Sequence, residues 1–352
     1  MYKLLKIIFL FFVFVFFADQ SSAQLSRKSI KKNNKKMRNF KGSRNTFDQS
    51  RRYSSFGINA SSLNYFGDLA PKPGVLSTDI SFTRPAFGAT YSYRFGPRYT
   101  VQADFFWGTL RGSDYESADP GDPDQKPRYI RNLQFRNRIK ELSITAVVDL
   151  YKNESSYITR VELTPYAFLG ISVFHHNPKG FVGNDSGLPE AGTWVALQPL
   201  GTEGQNSTLA ETDVNYGIKP YSKIQIGIPF GIGARYKLNQ AMDLSFEIGT
   251  RFLFTDYIDD VSANYVDLDK LPSDLSRYMS DRSTQTEAIT GATRDDIPTE
   301  RISYNGYSVI AGYGQENEHN MRGGVNDNDI YWVTTLRLTY IIGGKLAKAK
   351  FR

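Results

Sequence analysis

Apolar and polar residues alternate with a period of two over eight stretches of the chain. They lie near Tyr53–Tyr65, Ala86–Phe95, Arg98–Thr109, Arg138–Leu150, Val161–Phe174, Lys223–Leu238, Met242–Phe252 and Ile330–Ile342. A period of two is the repeat of a β-strand, whose successive side chains leave on opposite faces. The seventh stretch is the cleanest: Met242, Leu244, Phe246, Ile248 and Phe252 alternate with Asp243, Ser245, Glu247, Gly249 and Arg251. Short connections follow the second, fourth and sixth stretches, and long ones span 67–85, 111–137, 175–222 and 255–329. This rhythm predicts an all-β fold: an antiparallel up-and-down transmembrane β-barrel of about eight strands with long extracellular loops. One face of each strand meets lipid and the other the lumen, and an even strand count puts both chain termini on the periplasmic side. Pro165 and Pro229 lie inside strands, where bulges or local breaks are expected because proline cannot donate to a ladder.

An eight-stranded bore has room only for side chains. Its inward charges would be Asp104, Glu141, Asp149, Glu162, Asp243 and Glu247 against Arg94, Arg235, Lys237, Arg251 and Arg337. Unpaired charges in such a place are costly, so these groups are expected to pair in a lumenal polar network. A conducting pore and an ion relay are the alternatives.

The chain starts with a basic segment (Lys3, Lys6), an apolar run from Ile7 to Phe17 and small residues at Ser21-Ser22-Ala23. This is the pattern of a signal peptide over 1–23, with Gln24 as the mature start; an uncleaved anchor helix is the alternative. The expected destination is the bacterial outer membrane. The absence of cysteine excludes a lipobox, disulfides and thiolate metal sites. A mean hydropathy of −0.42 looks soluble, but barrels do, because half of each strand is polar. The 22 Tyr and 24 Phe suit interfacial girdles.

The net charge of +7 hides an asymmetry. Residues 24–52 carry eleven basic residues against one acid, Asp48, so the body beyond them is mildly acidic. This arm lacks hydrophobic periodicity and is expected to be disordered and periplasmic. Arg27, Lys28, Lys31, Lys32, Lys35, Lys36, Arg38 and Lys41 are its candidate partner contacts, toward anionic headgroups or an acidic partner. Nucleic acid is not expected for an exported chain. Residues 53–342 would form the barrel and 343–352 a C-terminal tail.

Little points to catalysis. His175 and His176 end the fifth strand and His319 sits in the last long loop. A rim histidine could serve acyl transfer, but Asn177, Pro178 and Lys179 follow the pair, without a serine. Asp119, Asp122 and Asp124, and then Asp256, Asp259 and Asp260, could hold calcium, yet read more simply as turn or loop anchors. No enzyme activity, cofactor or metal is expected. In the long loops, Pro272–Ser280 predicts a short helix with Leu275, Tyr278 and Met279 on one face, while the polar 283–301 stretch is expected to be mobile.

Several segments go beyond what alternation demands. They are Leu63-Asn64-Tyr65-Phe66-Gly67-Asp68-Leu69, Phe135-Arg136-Asn137 running to Glu141-Leu142-Ser143, Leu163-Thr164-Pro165-Tyr166-Ala167-Phe168, and Phe174-His175-His176-Asn177-Pro178-Lys179. Gly192-Thr193-Trp194 leads to Leu197–Gln205; Ile228–Gly233 precedes Thr255–Ser262 and Tyr265-Val266-Asp267; Asn326–Tyr340 closes the set. Together they resemble the PorG-type outer-membrane barrels of type IX secretion, a family also described as an uncharacterised outer-membrane barrel domain. The resemblance spans most of 53–342 and is weaker between Asp269 and Arg322. It implies a non-enzymatic accessory of protein transport, associated with the periplasmic ring lipoprotein and its partner subunit. A cell-surface recognition or adhesion barrel, binding through its extracellular loops, is the alternative.

Overall fold

The computed structural model describes residue 47 and residues 51–69, 82–324 and 328–342. The signal peptide, the arm residues from Arg27 to Lys41 and the tail 343–352 lie outside the described residues.

Among the described residues, twelve strands form: β1 (Tyr53–Phe66), β2 (Arg84–Arg94), β3 (Tyr99–Ser113), β4 (Gln134–Asp149), β5 (Leu163–His175), β6 (Pro178–Phe181), β7 (Trp194–Ala196), β8 (Ile224–Lys237), β9 (Met242–Leu253), β10 (Ile302–Tyr304), β11 (Tyr307–Val309) and β12 (Ile330–Ile342). Eight of them, β1–β5, β8, β9 and β12, each pair antiparallel with their neighbours, and β12 returns to β1 from Ser54↔Ile342 to Phe66↔Ile330. The result is a closed eight-stranded antiparallel barrel. Three short helices, α1 (Asp114–Ser117), α2 (Lys126–Arg131) and α3 (Asp274–Ser280), lie in the long connections. No helix among the described residues is long and apolar enough to cross a membrane, which says nothing of a β-barrel.

The alternation sorts as expected. Ile58, Phe87, Leu142, Ile171, Ile232 and Leu336 point outward and are more than half exposed. So continuous an apolar belt would be an aggregation surface in water and is a solvated surface in lipid. Proline acts at one of its two positions. The β5–β8 pairing lapses between Leu169↔Phe230 and Ser172↔Gly227, opposite Pro229, without an extra residue. Pro165 keeps register with Ala234 and its carbonyl accepts from Leu150.

Inside, the charges pair in three tiers. Lowest, Arg94 donates to Asp149 at 2.6 Å, with Arg235 on the other Asp149 oxygen at 3.5 Å. Midway, Arg337 bridges Glu247 and Asp104, while Tyr166 donates to Glu247 and Thr90 and Gln102 donate to Asp104. Above them, Arg251 donates to Glu141 at 2.9 Å, and Tyr331 supplies a second bond to that carboxylate. Two water-sized voids of about 20 Å³ flank Arg337. Asp243 pairs with a residue that alternation did not flag: Arg160, in the 150–162 connection, which also binds the Asn239, Gln240 and Met242 carbonyls and ties this connection to the β8–β9 turn.

Two assignments change. Glu162 is not lumenal: it precedes β5, is exposed and accepts from the outward Tyr236 hydroxyl. Its backbone still bonds Lys237, but it lies at the rim beyond the last inward pair, where its side chain turns out toward Tyr236. Lys237 donates to the Ile158 carbonyl, clamping the same connection rather than joining a side-chain network.

The bore also changes character along its length. Toward the outer end its inward residues become apolar: Leu63, Phe106, Leu110, Phe135, Ile139, Phe174, Leu253, Tyr331 and Val333 pack into one cluster with Leu69, Ile258 and Val261 from the loops. β3 and β4 therefore run beyond the expected strand ends, pairing as far as Ser113↔Gln134, because Leu110 and Phe135 bury there. The barrel is polar within, plugged midway and dry at its outer mouth.

Replacing Arg337 with Met should leave Asp104 and Glu247 buried without a counter-ion and cost about 3–5 kcal/mol. Denaturant unfolding in detergent micelles, followed by heat-dependent gel migration, measures this; unchanged stability would show that the tier is dispensable.

Candidate functional site

The feature built most deliberately is a cap over the outer mouth, made from the long connections. Its local structure follows from short signals. Ser273 caps α3 by accepting from the Ser276 amide, and Met279 then buries against Val182 and Leu197, with Leu275 and Tyr278 packed alongside. α2 ends at Asn132, whose left-handed φ of 58° suits asparagine. The Asn132 amide reaches the Arg282 and Thr286 carbonyls, and Arg294 reaches those of Tyr129 and Ile130. The 283–301 stretch is thus tied to α2 despite its polar sequence.

Two buried arginines join the loops. Arg131 grips Asp114 with two bonds of 2.8 and 2.9 Å, and reaches the Asp68 and Arg322 carbonyls. Arg322 pairs with Glu203 at 3.0 Å and with the Asp260 carbonyl at 2.6 Å. Glu203 also accepts from the Ser262 amide. Gly201 and Gly204 hold the turn that presents Glu203, each with positive φ (60° and 88°), which glycine alone adopts freely.

Beneath these lies an acidic layer. Asp260 takes a left-handed φ of 74°, so successive carboxylates diverge. Asp259 accepts from the Tyr65 hydroxyl at 2.8 Å and from the Val261 amide, while Asp260 accepts from Thr202 and Tyr221, each at 2.6 Å. Tyr221 is stacked between Tyr257 and His176. Asp329 accepts from the Ile258 amide and shares the Tyr65 hydroxyl. Tyr65 has one proton to give, so its second contact needs a proton held by a carboxyl. Burial, reinforced by Asp329 and Asp68, raises Asp259 well above the usual carboxylate range, and burial raises Asp329 likewise. Asp260 is pushed up to about 6 by burial, against the pull of Arg322.

The other sequence candidates have structural roles. Asp119 and Asp122 accept from the amides of Gly121 and Asp124, as turn anchors do. His176 is buried against the Ser222 carbonyl and pushed down to about 4 by burial, so it is neutral. His175 and His319 are exposed. Among the described residues no group of three or more His, Cys, Asp or Glu could hold a metal. Sequence reading did not single out Asp114, Arg131, Glu203, Arg322 or Asp329. Glu203 and Asp329 lay within the resemblance segments; Asp114, Arg131 and Arg322 carried no local signal.

Residues 45–195 match the model of a family described as a domain of unknown function (DUF6089). No curated protein matches the sequence. Among solved structures, the chain is similar to the N-terminal β-barrel domain of Pseudomonas aeruginosa OprF (8% identity, TM-score 0.29, over 82% of this chain and 97% of that one). It is similar to Neisserial surface protein A (8%, 0.33, over 82% and 96%) and to Ail, the attachment invasion locus protein of Yersinia pestis (10%, 0.31, over 83% and 97%). The closed eight-stranded ring with its apolar outer belt has the fold of a membrane β-barrel.

The acidic layer makes the cap sensitive to pH. Asp259, Asp260 and Asp329 bind protons more tightly folded than unfolded. The stability tied to them is fully present below the unfolded carboxylate pKa of about 3.9 and is lost as pH rises through the folded values, about 6 for Asp260. Limited proteolysis of the 255–329 connection should therefore speed up from about pH 5 to about pH 8, and Asp259→Asn should flatten the trend. A rate independent of pH would contradict the shared proton.

Proposed function

We propose that the protein is a non-enzymatic accessory of type IX protein secretion, an anchor that associates with the periplasmic ring lipoprotein and its partner subunit. The observation that carries this reading is the filled, capped bore. Ion pairs plug the middle, an apolar layer dries the outer mouth, and no polypeptide could pass. A barrel that transports nothing serves by what it holds. The resemblance motifs support the particular machine, because Tyr65, Asp68, Asn137, His176, Glu203, Asp259, Asp260 and Asp329 meet in or next to the layer that fixes the cap. On the periplasmic side, the connection locked by Arg160 is a firm surface, and the basic arm from Arg27 to Lys41 would reach an acidic partner.

A second reading is a recognition or adhesion barrel acting through its exterior loops. It is favoured by a cleft of about 360 Å³ between α2 and residues 311–321, lined by Arg128, Tyr313, His319 and Met321.

Deleting the gene should abolish export of type IX cargo, and the ring lipoprotein should co-purify with the barrel from mild detergent. Planar bilayers containing the purified protein should show no steady conductance. Intact export in the deletion strain would favour the second reading, and steady currents would refute the sealed bore.

A further inference from the structure

The outward face of the barrel is not uniform at its outer end. On β4 the lipid-facing residues are Val148, Ala146, Ile144 and Leu142. A tilted strand needs roughly 9–11 residues to cross the hydrocarbon, and the outward apolar run from Leu150 to Leu142 uses that length. The next outward positions are all cationic: Lys140, Arg138, then Arg136. Their neighbours extend the charge. Lys140 is opposite His175 on β5, and Arg136 is opposite Lys179 on β6. Because facing residues of an antiparallel pair share a face, these side chains form one patch that begins where the apolar belt stops.

Three observations set this patch apart from ordinary surface charge. First, among the described residues no carboxylate lies within ion-pair distance of Arg136, Arg138, Lys140 or Lys179; the nearby Arg111 already has Glu116. Second, the patch is braced. The Arg136 guanidinium lies 4.1 Å from the centre of the Trp194 ring, and Phe181 packs edge-on against that ring, so the β6–β7 hairpin holds the charge in place. Third, other outer strand ends carry neutral aromatics: Phe66 against Trp332, Phe252 stacked on Phe230 from within β8, and an exposed Phe254. An interfacial girdle needs only such rings. Cations confined to the β4 sector need a different counterpart.

We infer that this patch is a docking surface for the phosphate groups of an outer-leaflet glycolipid. Its depth selects the occupant. Groups at the immediate edge of the hydrocarbon meet lipid headgroups, and guanidinium and ammonium donors without carboxylate partners match phosphate oxygens. The surface is separate from the periplasmic contact proposed above and does not depend on it. It would orient the barrel about its axis relative to bound lipid, with the cap leaning over the headgroups.

The test uses the full processed chain in dodecylmaltoside, with lipid retention read by native mass spectrometry and melting followed in parallel. The probes are bisphosphorylated lipid A, dephosphorylated lipid A, phosphatidylglycerol and inorganic phosphate. Bisphosphorylated lipid A should be retained and should raise the melting temperature, and the other three should do neither. The combined variant Arg138→Gln, Lys140→Gln, Lys179→Gln should lose the retention while keeping the heat-dependent gel shift of a folded barrel. The charge-keeping variant Arg138→Lys, Lys140→Arg, Lys179→Arg should keep it. Equal retention by the glutamine variant would overturn the assignment, as would equal effects of phosphatidylglycerol or of free phosphate. Binding of an acidic protein to the patch in place of lipid A would overturn it too.

Discussion

Hydrocarbon offers no hydrogen bonds, so a strand that enters it must have both backbone edges satisfied by other strands. Here that requirement is met by pairing β1 with β12 along their whole lengths, which turns a meander into a ring. Much else follows. Eight strands give a bore that only side chains can fill. The side chains that fill it alternate with lipid-facing ones, and through the middle of the bore they are polar. Being buried, they must find partners within reach, and Arg94, Arg251 and Arg337 each do.

The two ends solve different problems. At the periplasmic end the connections are short, and one arginine, Arg160, binds the carbonyls of the neighbouring turn. At the outer end the chain spends far more residues than closure requires. The hairpin of β3 and β4 continues past the belt, an apolar layer seals the mouth, and the long loops are joined by Arg131 and Arg322. Buried ion pairs contribute little net stability because desolvation offsets their attraction. Their clearer effect is on specificity: a guanidinium that grips one carboxylate and several carbonyls accepts few alternative loop arrangements. A cap built this way is a shaped surface rather than a set of tethers.

That division bears on function. A bore filled by ion pairs and sealed by an apolar layer leaves no open path through the described barrel, which is why the proposals above rest on its surfaces. The acidic layer under the cap adds a constraint of its own, since three carboxylates share one apolar setting with few countercharges and their protonation is linked to the hold of the loops.

The strands were legible because their cause is local. Met242 to Phe252 alternate for the same reason in any barrel, and the side of the wall on which Arg337 or Glu247 falls follows from counting by two. Counting failed at Glu162, past the end of β5; toward the outer end it still placed Phe106 and Phe135 inward, but it did not show that the inward face turns apolar there. The cap was out of reach of any local rule. Glu203 and Arg322 are 119 positions apart, and Tyr65 and Asp329 are 264 apart. The sequence by itself determined which residues face lipid and which face the bore, because a period of two needs no knowledge of neighbours. Only the tertiary structure decided which charges meet, which mouth is dry and where unpaired cations gather, because those depend on loops of no fixed period brought together in space.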